Sequence, residues 1–352
     1  MRHAFSFVAL AISSISTPAI AATPPIVAET LAKLPRYEPG PRVAGTISIW
    51  GHGSSSRDFM GKLVRRWMTE FRERQPDVRF EYRMYGTSSA IGALAVGAGN
   101  LAILGEEISP DAERLFERHK GYNPTKIEIA NGSLSTNYFD YAHLIFVNKE
   151  NPIARLNLRQ LEGIFGAEHR CAKRNIRTWG ELGLKAAWAH RPIHPYSWIT
   201  DSDFSLFLRE RALCASHRWN PATREVAPKA RADGTQYELG QQIIDEVARD
   251  PSAIGISNIR YATPQVKPLA IAWSNAGPYV QATDTTLISR EYPLVRIVPA
   301  YIDRTPGQNA SPAVAEFLRF ILSREGQTAL VEESGYLPLN PGQVQEGRKW
   351  LR

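Results

Sequence analysis

Three clusters of small or acidic residues stand next to helix-like stretches, and their types suit the capture of an anion. In "IWGHGSSSRDFMGKL" Gly51 and Gly53 flank a histidine, and Ser54, Ser55 and Ser56 follow before the pattern turns apolar at helical spacing. "GTSSAIGAL" repeats the theme with Thr87, Ser88 and Ser89, and "LAILGEEISP" ends a short apolar run on Glu106 and Glu107. Two chemistries are open to hydroxyls in front of a helix. A serine oxygen can cap the orphan N–H groups of a first turn. Alternatively, the free N–H groups and the helix dipole can hold an anion. Taken singly, each cluster is accounted for by turn chemistry.

Their common position sets the clusters apart. "GTISIW" alternates Ile47 and Ile49 with polar residues and reads as a strand. Phe59, Met60, Leu63, Val64, Trp67, Met68 and Phe71 form a helical stripe that ends before Pro76. "DVRFEYRMY" is a half-buried strand, "AIGALAVGAG" a helix of small residues, and "NLAILG" a short apolar strand. The unit strand, polar loop, helix recurs, which argues for an α/β fold with a parallel sheet. Ligands of such sheets sit beyond the carboxyl ends of the strands, and all three clusters fall at that edge. Further on, "YAHLIFVNKENP", "SAIGISNIRYA" and "YPLVRIVPAYID" read as strands. "LRQLEGIFG", "SDFSLFLRERAL" and two closing helices within 311–339 read as helical.

Composition narrows the possible functions. A chain of 352 residues is long enough for two lobes with real cores. A net charge of +7 suits a negatively charged partner. No block of like charge and no aromatic-basic motif occurs, so nucleic-acid binding has only that charge behind it. Metal-ligand spacings such as CxxC or HExxH are absent, and the eight histidines are scattered, so neither metal nor cofactor is expected. A serine-hydrolase elbow is also missing, and Gly61-Lys62-Leu63 does not fit a nucleotide phosphate loop. His52 therefore reads as a solvent-facing loop histidine rather than a base. Trp50 and Trp198 suit either core or cleft lining.

The ends of the chain point to export. Arg2 and His3, the apolar run "AFSFVALAISSI" and Ala19-Ile20-Ala21 together read as a secretory signal cleaved near Ala21. The apolar run is shorter than the ~20 residues a membrane span needs. No cysteine stands at the cleavage point to take a lipid. Residues 22–42 are proline-rich and read as an arm or linker. Cys171 and Cys214 are the two cysteines, and an oxidising compartment favours a disulfide between them over two free thiols.

On these stretches the chain resembles the phosphate-binding proteins of bacterial phosphate ABC transporters, a branch of the type II periplasmic binding proteins. The resemblance runs over roughly residues 45–340 and is most specific in "YPLVRIVPAYID" with "AVAEFLRFILSREGQTALVEESGYLPL". It implies an α/β, two-lobed fold, each lobe a mostly parallel sheet flanked by helices, with ligand in the cleft. Lobe one would be residues 43–148 and 263–342, lobe two residues 149–262, and 343–352 a tail. It also implies that Gly53, Ser54, Ser55, Thr87 and Ser88 supply hydroxyl and amide donors. An acid at Glu106 or Glu107 would accept the O–H of a protonated phosphate and repel a fully ionised one.

The second lobe departs from the family pattern. The family places an arginine there, followed by a serine-glycine-threonine turn opening a helix. Here no arginine stands near Tyr196 to Trp198, Arg191 comes several residues early, and Asp201, Ser202 and Asp203 occupy the turn. Ser202 is the one hydroxyl available, and two aspartates are hostile to an anion in a dry cleft. The leading expectation is a monomeric periplasmic receptor that delivers phosphate or a related small oxyanion to ABC-transporter membrane subunits. The alternative is a binding fold with a degenerate anion site acting as sensor, adhesin or scaffold. A secreted phosphoester hydrolase ranks last.

Overall fold

Strand alternation in "GTISIW" leaves Ile47 and Ile49 fully buried, and the stripe Met60, Leu63, Val64, Trp67 and Phe71 packs its helix into the same core. Trp67 satisfies its indole by donating to the Gly326 carbonyl at 2.8 Å, so burial of the ring leaves no orphan donor. The computed structural model describes residues 23–52, 59–105, 107–135, 142–200 and 202–351; for Phe59, Ser88 and Asp203 it describes the backbone alone. The expected signal segment 1–21 lies outside the described residues.

The chain opens with α1 (Pro25–Lys33), β1 (Gly45–Gly51), α2 (Phe59–Arg72), β2 (Val78–Arg83), α3 (Thr87–Ala95), β3 (Leu101–Ile103), α4 (Pro110–Lys120) and β4 (Thr125–Asn131). There follow β5 (Leu144–Asn148), β6 (Arg155–Asn157), α5 (Leu158–Phe165), β7 (His194–Ser197), α6 (Asp203–Ala212), β8 (Arg224–Glu225), β9 (Lys229–Ala230) and β10 (Gln236–Tyr237). Next come α7 (Leu239–Arg249), β11 (Ala253–Ser257), β12 (Val266–Pro268), β13 (Ala270–Ala272) and α8 (Asp284–Ile288). The last elements are β14 (Ile297–Ile302), α9 (Pro312–Ile321), α10 (Arg324–Ser334) and α11 (Pro341–Arg348).

Two five-stranded sheets carry the architecture, ordered β2-β1-β3-β14-β4 and β12-β5-β11-β7-β8. Helices flank both, as a two-lobed α/β fold requires. Each sheet is mostly parallel: four of its five strands run one way, and one, β14 in the first and β5 in the second, runs against them. β1 is parallel to β2 and β3, but β14 is antiparallel to β3 and β4. In the second sheet β11 is parallel to β7 and antiparallel to β5. β14 enters its sheet on the return from the other one and so runs opposite to β1 and β3. β5 and β12 also pair into the second sheet, whereas boundaries at 148/149 and 262/263 would put both with the first. Alternation locates a strand, and only pairing assigns it to a sheet. The crossing segments themselves meet at an antiparallel bridge between Ala142 and Val295.

Two terminal expectations are corrected, and the expected bridge is present. The stretch read as a loose arm forms α1, with Pro at its N-terminal turn, where the missing N–H costs nothing. Val27 and Leu34 are buried, and Arg324 Nε donates to the Leu34 carbonyl at 3.2 Å. The expected tail holds α11 and buries Val344 and Leu351. Cys171 and Cys214 are joined, with their Cα atoms 6.2 Å apart, tying the loop after α5 to the end of α6. No helix among the described residues is long and apolar enough to cross a membrane.

Candidate functional site

Thr87 is positioned by close backbone packing at the carboxyl end of β1. A Cβ on Gly51 would meet the Ile103 carbonyl at 2.0 Å, so only glycine lets β1 and β3 end together. The Gly51 carbonyl accepts from Gly86 N at 2.9 Å, and Gly86 sits at φ +145°, a conformation that favours glycine. α3 then starts without any side-chain cap on its first turn. Instead the Thr87 hydroxyl lies 3.2 Å from His52 Nδ1. His52 is thus turned inward and half-buried, not the solvent-facing loop residue expected, and it holds Thr87 at the cleft wall. Gly53, Ser54, Ser55 and Ser56 lie outside the described residues, as do Glu106 and Asp201, and so does the Ser88 side chain.

Glu107 and Arg296 form the centre of the site. Glu107 Oε1 accepts from Ile297 N at 3.1 Å, and its Oε2 accepts from Arg296 Nε at 3.3 Å. Arg296 immediately precedes β14 and is only 2% exposed. Its guanidinium lies over two rings of α6, 4.9 Å from the centre of Phe207 and 5.8 Å from that of Phe204. One buried cation therefore links the carboxylate of the first unit to the aromatic face of the second. Below, α4 opens at Ser109, whose hydroxyl caps Ala112 N at 3.2 Å.

From the second unit, α6 faces the same space with Leu206, Phe207, Glu210 and Arg211. Ser202, the hydroxyl expected as a ligand, is the N-cap of α6: it accepts from Ser205 N at 3.4 Å and donates to the Ser205 hydroxyl at 3.2 Å. It is not among the lining residues, because the cap position points it back along its own helix. Arg191 stacks on Trp188 at 4.3 Å, and Trp198 is buried against Phe204; neither they nor Trp50 line the cleft. Between the units is a cavity of about 400 Å³. Burial holds the Arg211 guanidinium below its ordinary pKa, Glu107 opposing and Arg290 adding to the depression. An anion in the cleft would relieve that cost.

Comparison with known proteins gives the family. The PBP superfamily domain matches residues 40–325. The phosphate-binding protein PstS of Pseudomonas aeruginosa is 30% identical over 347 residues, covering 98% of this chain and 96% of that protein. The chain belongs to the PstS branch of the PBP superfamily. Solved structures of the branch share its fold. PstS from Borrelia burgdorferi aligns with a TM-score of 0.54 at 17% identity, covering 84% of this chain and 99% of its own. An ABC-type phosphate transport receptor from Vibrio cholerae gives 0.51 at 18%, covering 83% and 99%.

Two arginines that sequence reading passed over bring the PstS-type cleft its positive charge. Arg296 carried a signal: a lone cation inside the apolar run "PLVRIVPAYI" must find a buried partner or a ligand. Arg211 follows Phe207 by four residues on a helix, so the two share one face. The Glu162, Cys171 and Cys214 donor atoms gather within 4.8 Å, but the bridge leaves no thiolate to bind a metal.

His143 lies against this arrangement, at the crossing. Its ring packs 4.9 Å from Phe207, 5.2 Å from Trp198 and 5.4 Å from Phe204, and neither ring nitrogen has a hydrogen-bond partner among the described residues. Burial, and then the charge of Arg296, holds its pKa well below the ordinary value. The folded protein therefore keeps the ring neutral while the unfolded chain protonates it below about pH 6.5. Stability from this group is complete above that pH and falls as pH drops, by at most about 1.4 kcal/mol per unit. His143→Phe should remove that slope. Denaturation of both proteins from about pH 7 to about pH 5 checks it, and parallel pH profiles would refute the assignment.

Proposed function

We propose that this chain is an exported, monomeric receptor that holds phosphate or a related small oxyanion between its lobes and presents it to the membrane subunits of an ABC transporter. The observation that carries this reading is the convergence of Arg296 and Arg211 on one cleft from opposite units, beside Thr87 and Glu107. The name of its P. aeruginosa relative supports phosphate as the ligand. Glu107 has lone pairs left to accept a ligand O–H, which favours a protonated anion over a fully ionised one. Gly53, Ser54, Ser55 and Ser88 complete the proposed donor set; Glu106 remains the rival acid. The helix start at Thr87 adds its N–H groups and dipole.

Titration calorimetry of the mature protein with inorganic phosphate near neutral pH tests this reading. Thr87→Val should weaken binding at least about tenfold, because a hydroxyl donor to a charged oxygen contributes on the order of 1.5–3 kcal/mol. Glu107→Gln should blunt the preference for the protonated anion, whereas Glu106→Gln should do so only if the neighbouring acid is the true one. Silence up to millimolar phosphate and sulfate would instead favour the sensor or scaffold reading, which the capping role of Ser202 also suits.

A further inference from the structure

The cleft contains more apolar surface than a bare oxyanion uses. Its volume of about 400 Å³ lies in the range that encloses small organic molecules rather than a tetrahedral ion of a few atoms. Six of its described lining residues are apolar: Ile91, Ile108, Pro110 and Ala112 on one side, Leu206 and Phe207 on the other. Ile108 and Leu206 are only half-buried and face the open space from opposite units. Among the described residues the second unit contributes no hydroxyl here, since Ser202 caps α6, and its polar offering is the fork of Arg211 beside Glu210. Guanidinium groups grip a phosphoryl group by two oxygens and leave its remaining substituent unconstrained. Burying that substituent between Ile108 and Leu206 is favourable only if it is itself apolar.

We infer that the site takes a phosphonate or phosphate monoester bearing a small hydrocarbon group, with the phosphoryl end between Arg296 and Arg211 and the hydrocarbon between Ile108 and Leu206. This rests on the oxyanion reading above and narrows its ligand class. Titration of the mature protein with phenylphosphonate and with inorganic phosphate, in parallel, tests it. Phenylphosphonate should bind at least tenfold tighter, and Leu206→Asn should collapse that ratio toward one. Phosphate bound as tightly as phenylphosphonate, or tighter, overturns the inference and leaves the oxyanion reading intact. Heat from neither ligand overturns both. A ratio unchanged in Leu206→Asn and in Ile108→Asn alike overturns the placement of the hydrocarbon and with it the inference.

Discussion

Arg296→Met is expected to abolish phosphate binding at millimolar concentration and to lower the unfolding free energy by about 3 kcal/mol or more. The two effects have one origin. Arg296 is 2% exposed, and its Nε holds a Glu107 carboxylate that is itself only 24% exposed. Removing the cation leaves that carboxylate with the Ile297 amide as its remaining partner among the described contacts. An uncompensated charge in such surroundings is among the few causes of large destabilisation. The same deletion takes from the cleft a donor fork on which a bound anion would rest, and turns Glu107 into a repelling wall.

Arg211→Gln separates the parts. Arg211 lies over the Trp273 ring at 5.6 Å and makes no ion pair within the described contacts, so its loss should reduce affinity while leaving stability nearly unchanged. Calorimetric titration and chemical denaturation of both variants give the four numbers required. Wild-type affinity in Arg296→Met would place the anion elsewhere, and unchanged stability would mean the carboxylate is solvated after all.

Replacing Cys171 and Cys214 together with serine should cost about 4 kcal/mol, from the chain entropy released when a loop of 43 residues is no longer closed. That corresponds to a fall in melting temperature on the order of 10 °C. The bridge also holds a loop whose Cys171 amide donates to the fully buried Glu162 at 2.8 Å, with the Ala172 amide beside it. Without the bridge those amides are free to leave a buried carboxylate unsatisfied, which adds to the loss. Because Cys214 closes the end of α6, the helix bearing Phe207 and Arg211, anion affinity should fall with stability. Scanning calorimetry with and without reductant measures the first effect, and titration of the double variant the second. Equal melting temperatures would show that the bridge constrains nothing in the unfolded chain.

How much of this protein was legible before folding depends on the range of the signal. Period-two and helical spacing are local properties, and they located β1, α2, β2, α3 and the closing helices within a few residues. The Cys171–Cys214 pairing was legible because no other partner existed for either thiol. Thr87 was legible because glycine and hydroxyl before a helix is a short-range signature, and it does stand at the strand-end edge where ligands bind. Ser202 misled for the same reason: cap and ligand serines look alike in sequence, and only the direction of the hydroxyl tells them apart. Sheet membership of β5 and β12 required knowing which strand each would pair with, and pairing joins residues about a hundred positions apart. Glu107 was singled out as one of two candidate acids, but the cations it meets were furthest from view. Glu107, Arg211 and Arg296 come from three separated segments, and neither guanidinium belongs to a local motif. The sequence by itself determined most of the elements, the bridge and the family, because each rests on local order or on a pairing without alternatives. The tertiary structure alone decided which charges meet, because two units built from an interleaved chain bring distant residues to a common cleft.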